Sequence, residues 1–104
     1  MERIADVILI SIKYRLDGIG QQIPGEEVRR SVIGTLHGIS RQEWASVAQA
    51  GLNPQGMVFL RDEADYKKES FLEIEGEKYF IYRTYPTEDG GIELYYREVT
   101  GVAR

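Results

Sequence analysis

Only one stretch of this chain carries the punctuation of a helix, while glycines and charged turns cut the rest into lengths that suit strands. That contrast points to a mainly β domain. The helix signal lies at residues 40–50: Ser40 as N-cap with Glu43 three residues on makes a capping box, and Ile39 ahead of the cap is placed to staple onto Trp44. Trp44, Val47 and Ala48 then share one face. Gly51 offers the left-handed position past the helix end, Leu52 can fold back on Val47, and Pro54 bars any continuation. The face built by Ile39, Trp44, Val47, Ala48 and Leu52 is expected to cover the sheet as core, with Trp44 its main contact.

Residues 4–14 alternate, with Ile8, Ile10 and Ile12 on one face and Val7, Leu9, Ser11 and Lys13 on the other. This is a strand with one face wholly apolar. Residues 28–39 resume a strand pattern, in which Gly34 and Gly38 suggest a bulge or bend. Between the two strands stand Asp17, Gly18, Ile19, Gly20, Gln21, Gln22, Ile23, Pro24 and Gly25, whose glycines and proline forbid regular structure. They form the only long loop, and long loops in compact domains are usually functional or disordered.

Beyond the helix, residues 57–61, 70–74, 78–85 and 92–99 read as four strands. Glu75-Gly76 and Glu88-Asp89-Gly90-Gly91 join the last three as consecutive hairpins. Apolar residues on both faces, as in Tyr79, Phe80, Ile81 and Tyr82, favour closure over an open sheet. The expected fold is a small, partly open antiparallel β-barrel of about six strands with one short helix.

At 104 residues the chain holds one domain, since two cores would each be too small. It has no cysteine, so no disulfide framework, thiolate metal site or Cys nucleophile exists. Val7-Ile8-Leu9-Ile10 is too short for a membrane span and lacks a cleavage pattern, which leads to the expectation of a soluble, unprocessed protein without a membrane partner. The net charge of -4, with both signs interleaved and no Lys/Arg run, argues against tight phosphate binding.

Chemistry-bearing clusters are sparse. His37 is the sole histidine and has Thr35 as its nearest hydroxyl neighbour, without partners for a triad or a metal. Asp62, Glu63 and Asp65 lack the spacing of a calcium loop and read as a solvated turn. Glu73 and Glu75 read as a solvent face of one strand rather than an acid/base pair. The loop around Gly18 and Gly25 is followed by no Lys-Ser/Thr pair and no helix, so it is not a phosphate cradle. No catalytic residue, metal or cofactor is expected. The tyrosines, beside Arg83 and Arg97, leave one nucleic-acid alternative: a small barrel that stacks single-stranded bases on exposed rings.

The ordered run of the capped helix, Gly51-Leu52-Asn53-Pro54, Asp65-Tyr66, Gly76-Glu77-Lys78-Tyr79, Tyr82-Arg83-Thr84-Tyr85 and Ile92-Glu93-Leu94-Tyr95 resembles the head-closure proteins of long-tailed bacteriophages, also called head-completion, head-tail adaptor or stopper proteins. The resemblance covers the C-terminal two-thirds closely and the first two strands in outline. It implies a structural protein of a phage or prophage, made in the bacterial cytoplasm and residing in the virion. There it would form a homo-oligomeric ring, six-fold in that family, between a portal-bound adaptor and the tail. By position, residues 17–25 correspond to the loop that enters the channel, so double-stranded DNA would pass the ring without sequence-specific binding. A tail-completion or terminator protein of the same junction shares the size and β character.

Overall fold

The computed structural model describes residues 3–99. Its elements are β1 (Arg3–Leu16), β2 (Gln22–His37), α1 (Arg41–Gln49), β3 (Pro54–Leu60), a single 3₁₀ turn (Glu63–Asp65), β4 (Phe71–Ile74), β5 (Glu77–Pro86) and β6 (Ile92–Glu98). All pairings are antiparallel, and they run in the order β1, β2, β3, β6, β5, β4 and back to β1, closing a barrel. The mainly β, six-stranded architecture is thus as expected. Where a partly open barrel was anticipated, two short seams complete the ring. One joins β1 to β4 at Ile8, Leu9 and Ile10, and the other joins β2 to β3 at Thr35, Leu36 and His37.

The interior is filled by Val7, Leu9, Val58, Leu60, Leu72 and Leu94, each 0% exposed, with Ile74, Ile81, Ile92 and Tyr96 completing the cluster. β2 passes so close to β3 that a Cβ on Gly34 would lie 2.6 Å from Val58 Cγ1. Gly34 is therefore a packing glycine and not the bulge anticipated there. The first hairpin's bulge lies between Ile12 and Tyr14, opposite Gly25, where a Cβ would meet the Lys13 carbonyl oxygen at 2.8 Å. Between β4 and β5, Glu75 and Gly76 both take positive φ, 52° and 85°, as a two-residue type I′ turn requires. Glu75 therefore sits in the turn, paired with Arg3 at 2.8 Å, and not beside Glu73 on a strand face.

The apolar Ile8, Ile10, Ile12 face of β1 points out of the barrel, yet Ile10 is 0% exposed. Register sets it between Arg29 and Phe71, and a run of ion pairs crosses the same face. Glu27 accepts from Lys78 at 2.6 Å and from Arg29 at 2.9 Å, and Arg29 also binds Glu73. The hydrogen bond from Lys78 above all, with Arg29 adding to it, holds the Glu27 carboxyl below the usual carboxylate range against the opposing effect of desolvation. Lys78 also stands 5.0 Å from the Phe71 ring centroid.

The β3–β4 connection carries the one buried charge among the described residues. Glu69, 4% exposed, accepts Arg30 Nε at 2.9 Å and Nη2 at 2.6 Å on one oxygen, and the Lys67 amide at 2.8 Å on the other. Arg30 Nη2 also donates to the Asp65 carbonyl at 2.7 Å, and Tyr66 packs on the core while its hydroxyl donates to the Glu69 carbonyl.

Both ends of α1 form as the local chemistry dictates. Ser40 Oγ accepts from the Glu43 amide at 3.0 Å, and Gly51, at φ 82°, and Leu52 donate to the Ala48 and Val47 carbonyls in a Schellman arrangement. The expected core face does not form. No residue of α1 is buried, Trp44 is 50% exposed, and Ile39, Val47, Ala48 and Leu52 are only half-buried. The reason is electrostatic: the Glu43 carboxylate leaves the cap and accepts from Tyr82 Oη and Arg83 Nη2, each at 2.8 Å, so a polar contact docks the helix on the outside of β5.

Candidate functional site

The feature that the barrel does not need is the far half of the first hairpin. Beyond Ile10 on β1 and before its partner Arg29 on β2, the two strands pair only with each other, and together they form an arm. The principal extents are 48 × 31 × 26 Å and the Cα radius of gyration is 14.9 Å. A compact chain of this length would measure about 13 Å.

The expected long loop of residues 17–25 is therefore corrected. Gln22, Ile23 and Pro24 belong to β2 and pair with Leu16, Arg15 and Tyr14, and Gly25 seats the bulge. Only Asp17, Gly18, Ile19, Gly20 and Gln21 turn the chain. Asp17 organises that turn: its Oδ1 accepts the amides of Ile19 and Gln21, each at 2.9 Å, its own amide donates to the Gln21 carbonyl, and Gly20 adopts φ 89°. The glycines and proline that read as loop punctuation instead serve a bulge, a strand edge and a tight turn.

The arm presents apolar area to solvent. Tyr14, Leu16 and Ile19 are 59%, 65% and 80% exposed, and no described residue between positions 13 and 26 is buried. Strand alternation sets Lys13 and Arg15 on the face opposite Tyr14 and Leu16. On β1 the arm thus has Tyr14 and Leu16 on one side and Lys13 and Arg15 on the other, where Ile23 of β2 stands opposite Arg15. Sequence reasoning missed Tyr14 and Leu16 because it ends the strand at Tyr14 and begins the loop at Asp17, leaving Leu16 in neither.

The other candidates are accounted for locally. Asp62 caps the 3₁₀ turn, its Oδ1 accepting from the Ala64 amide at 3.0 Å, and the Asp65 carbonyl serves Arg30. His37 is half-buried in β2 opposite Met57. Among the described residues no group of three or more His, Cys, Asp or Glu side chains is placed to hold a metal ion, and no helix is long and apolar enough to cross a membrane.

A base-stacking surface would need tyrosines open beside Arg83 and Arg97. Instead the Arg83 guanidinium lies 3.9 Å from the Tyr95 ring centroid while bound to Glu43, and Arg97 lies 4.5 Å from that of Phe80. Two of the rings, Tyr95 and Phe80, thus already carry the chain's own cations, whereas Tyr85, two positions from Arg83 on β5, is 55% exposed. Tyr82 is held above the ordinary tyrosine range, first by burial and then by its hydrogen bond to Glu43, so it stays a donor to that carboxylate.

Compared with protein-family models, curated proteins and solved structures, the chain gives no match.

Proposed function

We propose that this chain is a structural protein of a bacteriophage or prophage head-tail connector, forming a ring that closes the DNA exit channel after packaging and offers the tail its attachment surface. The observation that carries the proposal is the arm: a two-stranded extension, residues 11–28, that contributes no buried residue among those described and ends in exposed Tyr14, Leu16 and Ile19. A closed barrel supplies a rigid body, while an element without core contacts can move at little cost to that body. The action is mechanical and no catalytic step is assigned to it. In a ring the arms enter the lumen and obstruct DNA, and engagement of the tail moves them aside.

The charge distribution suits this role. A net charge of -4, with Arg83 and Arg97 lying on the chain's own rings, disfavours a tight grip on phosphates by the barrel, and leaves Lys13 and Arg15 as the exposed cations of the arm. The partners are further copies of the chain, the portal-bound adaptor on one side and the tail on the other. Complementation tests the assignment: heads packaging DNA in a lysate that lacks this chain are supplied with the purified protein. Rings on the head vertex and restored tail joining are expected. Heads that bind none of the protein and join no tails would overturn the proposal.

A further inference from the structure

The arm has two free edges, and they differ in character. β1 meets β4 only at Ile8, Leu9 and Ile10, and β2 meets β3 only at Thr35, Leu36 and His37. Residues 11–16 of β1 and 22–28 of β2 therefore each turn a row of backbone groups away from the hairpin, on opposite sides of one ribbon. The β1 segment carries Lys13 and Arg15, whereas the β2 segment carries Glu26 at the bulge facing Lys13. None of these three side chains is engaged in an ion pair among the described residues.

We infer that the arm is a pairing surface for a second copy of this chain: the β2 edge of one copy adds to the β1 edge of the next, with Glu26 of one facing Lys13 and Arg15 of the other. Polarity allows it. Copies set side by side by rotation about an axis along the arm bring a descending β2 against an ascending β1, an antiparallel match. Because the two edges are different surfaces, the contact is head-to-tail, the kind that closes into a ring when the rotation permits. This rests on the ring proposed above and adds which strands join and which charges meet.

Pairing is also restrained. Pro24 supplies no N–H and the bulge at Gly25 interrupts the ladder, so the β2 edge offers two short runs and not one long template. Short, charged edges pair when neighbours are held alongside and do not when chains are dilute.

Cross-linking tests this directly, because the chain has no cysteine of its own. Lys13→Cys and Glu26→Cys chains, each with one thiol, are mixed at about a millimolar, the range that tethering provides, and treated with a bismaleimide able to span a slip of one residue pair, about 7 Å. Covalent dimers several-fold more abundant in the mixture than with either variant alone are expected. Equal self-cross-linking of each variant would mean a symmetric contact and overturn the inference, as would a mixture no better than a control pair away from the arm, Gln49→Cys on α1 with Glu88→Cys in the β5–β6 turn. Wild-type chain on heads is imaged in parallel. Rings without the 13–26 cross-link overturn the edge pairing alone, whereas absence of rings overturns the ring and the pairing together.

Discussion

Replacing Arg30 by Met strands a carboxylate in the β3–β4 connection. Glu69 is 4% exposed, and its oxygens accept from Arg30 twice and from the Lys67 amide once. In Arg30→Met only the amide remains, so a buried charge keeps one neutral donor. Truncating one member of a fully buried pair costs roughly 3–5 kcal/mol. The Arg30 side chain is 31% exposed, so solvent already screens the pair, and a loss of about 2–4 kcal/mol follows. With an m-value of about 1–1.5 kcal/mol/M, urea unfolding should show the midpoint lower by about 2 M at unchanged slope. Adding Glu69→Gln to Arg30→Met removes the unpaired charge while keeping an acceptor for Lys67, and should restore about 1–2 kcal/mol. A loss below about 0.5 kcal/mol in Arg30→Met, or no recovery in the double variant, would show that Glu69 is not held as described.

Three further outcomes follow from the packing. Trp44→Ala should cost about 1–2 kcal/mol in the same assay, because half the ring is already in water, and a loss above about 3 kcal/mol would mean a buried ring. Gly34→Ala should cost about 1–3 kcal/mol, since the new methyl must displace Val58 in a filled interior; an unchanged midpoint would refute the close approach. Tyr82 is an acid whose folded pKa is raised, so its contribution to stability is complete below the unfolded tyrosine value and is lost as pH rises through the folded one. Ultraviolet titration should find a late-ionising phenol that disappears in Tyr82→Phe and ionises earlier in Glu43→Ala; no change in either variant would remove the Glu43 link.

What could be read from the sequence was whatever neighbouring residues decide between themselves. Ser40 and Gly51 fix the helix ends through bonds that span a few residues, and Glu75-Gly76 fixes a turn by positive φ, so these features formed where expected. Trp44 failed because its burial depended on where Glu43 would go, and Tyr82 and Arg83, some forty positions away, took that carboxylate. The first hairpin failed for a different reason. Gly25 and Pro24 look the same in a loop as at a bulge and a strand edge, and only the pairing of Tyr14 with Pro24 distinguishes them. Glu69 beside Lys67 and Lys68 has the pattern of a solvated turn, and its burial depends on Arg30 arriving from another strand. Barrel closure rests on three pairs between β1 and β4, which no local pattern encodes. The candidate site was thus legible in position, between the first two strands, but not in form.

The central claim is that the arm closes the channel, and DNA retention by particles with a trimmed arm tests it most directly. Replacing residues 13–26 by Asn-Gly closes the hairpin at the Ile12 and Glu27 pair with a favoured two-residue turn and removes no described buried residue. The trimmed chain should unfold within about 1 kcal/mol of the parent, since shortening an exposed connection changes closure entropy only slightly. Heads carrying it should release their packaged DNA while heads carrying the parent keep theirs. If trimmed chains are folded and present on the heads, and those heads hold DNA as well as the parent's do, the arm is not the closure and the account is wrong.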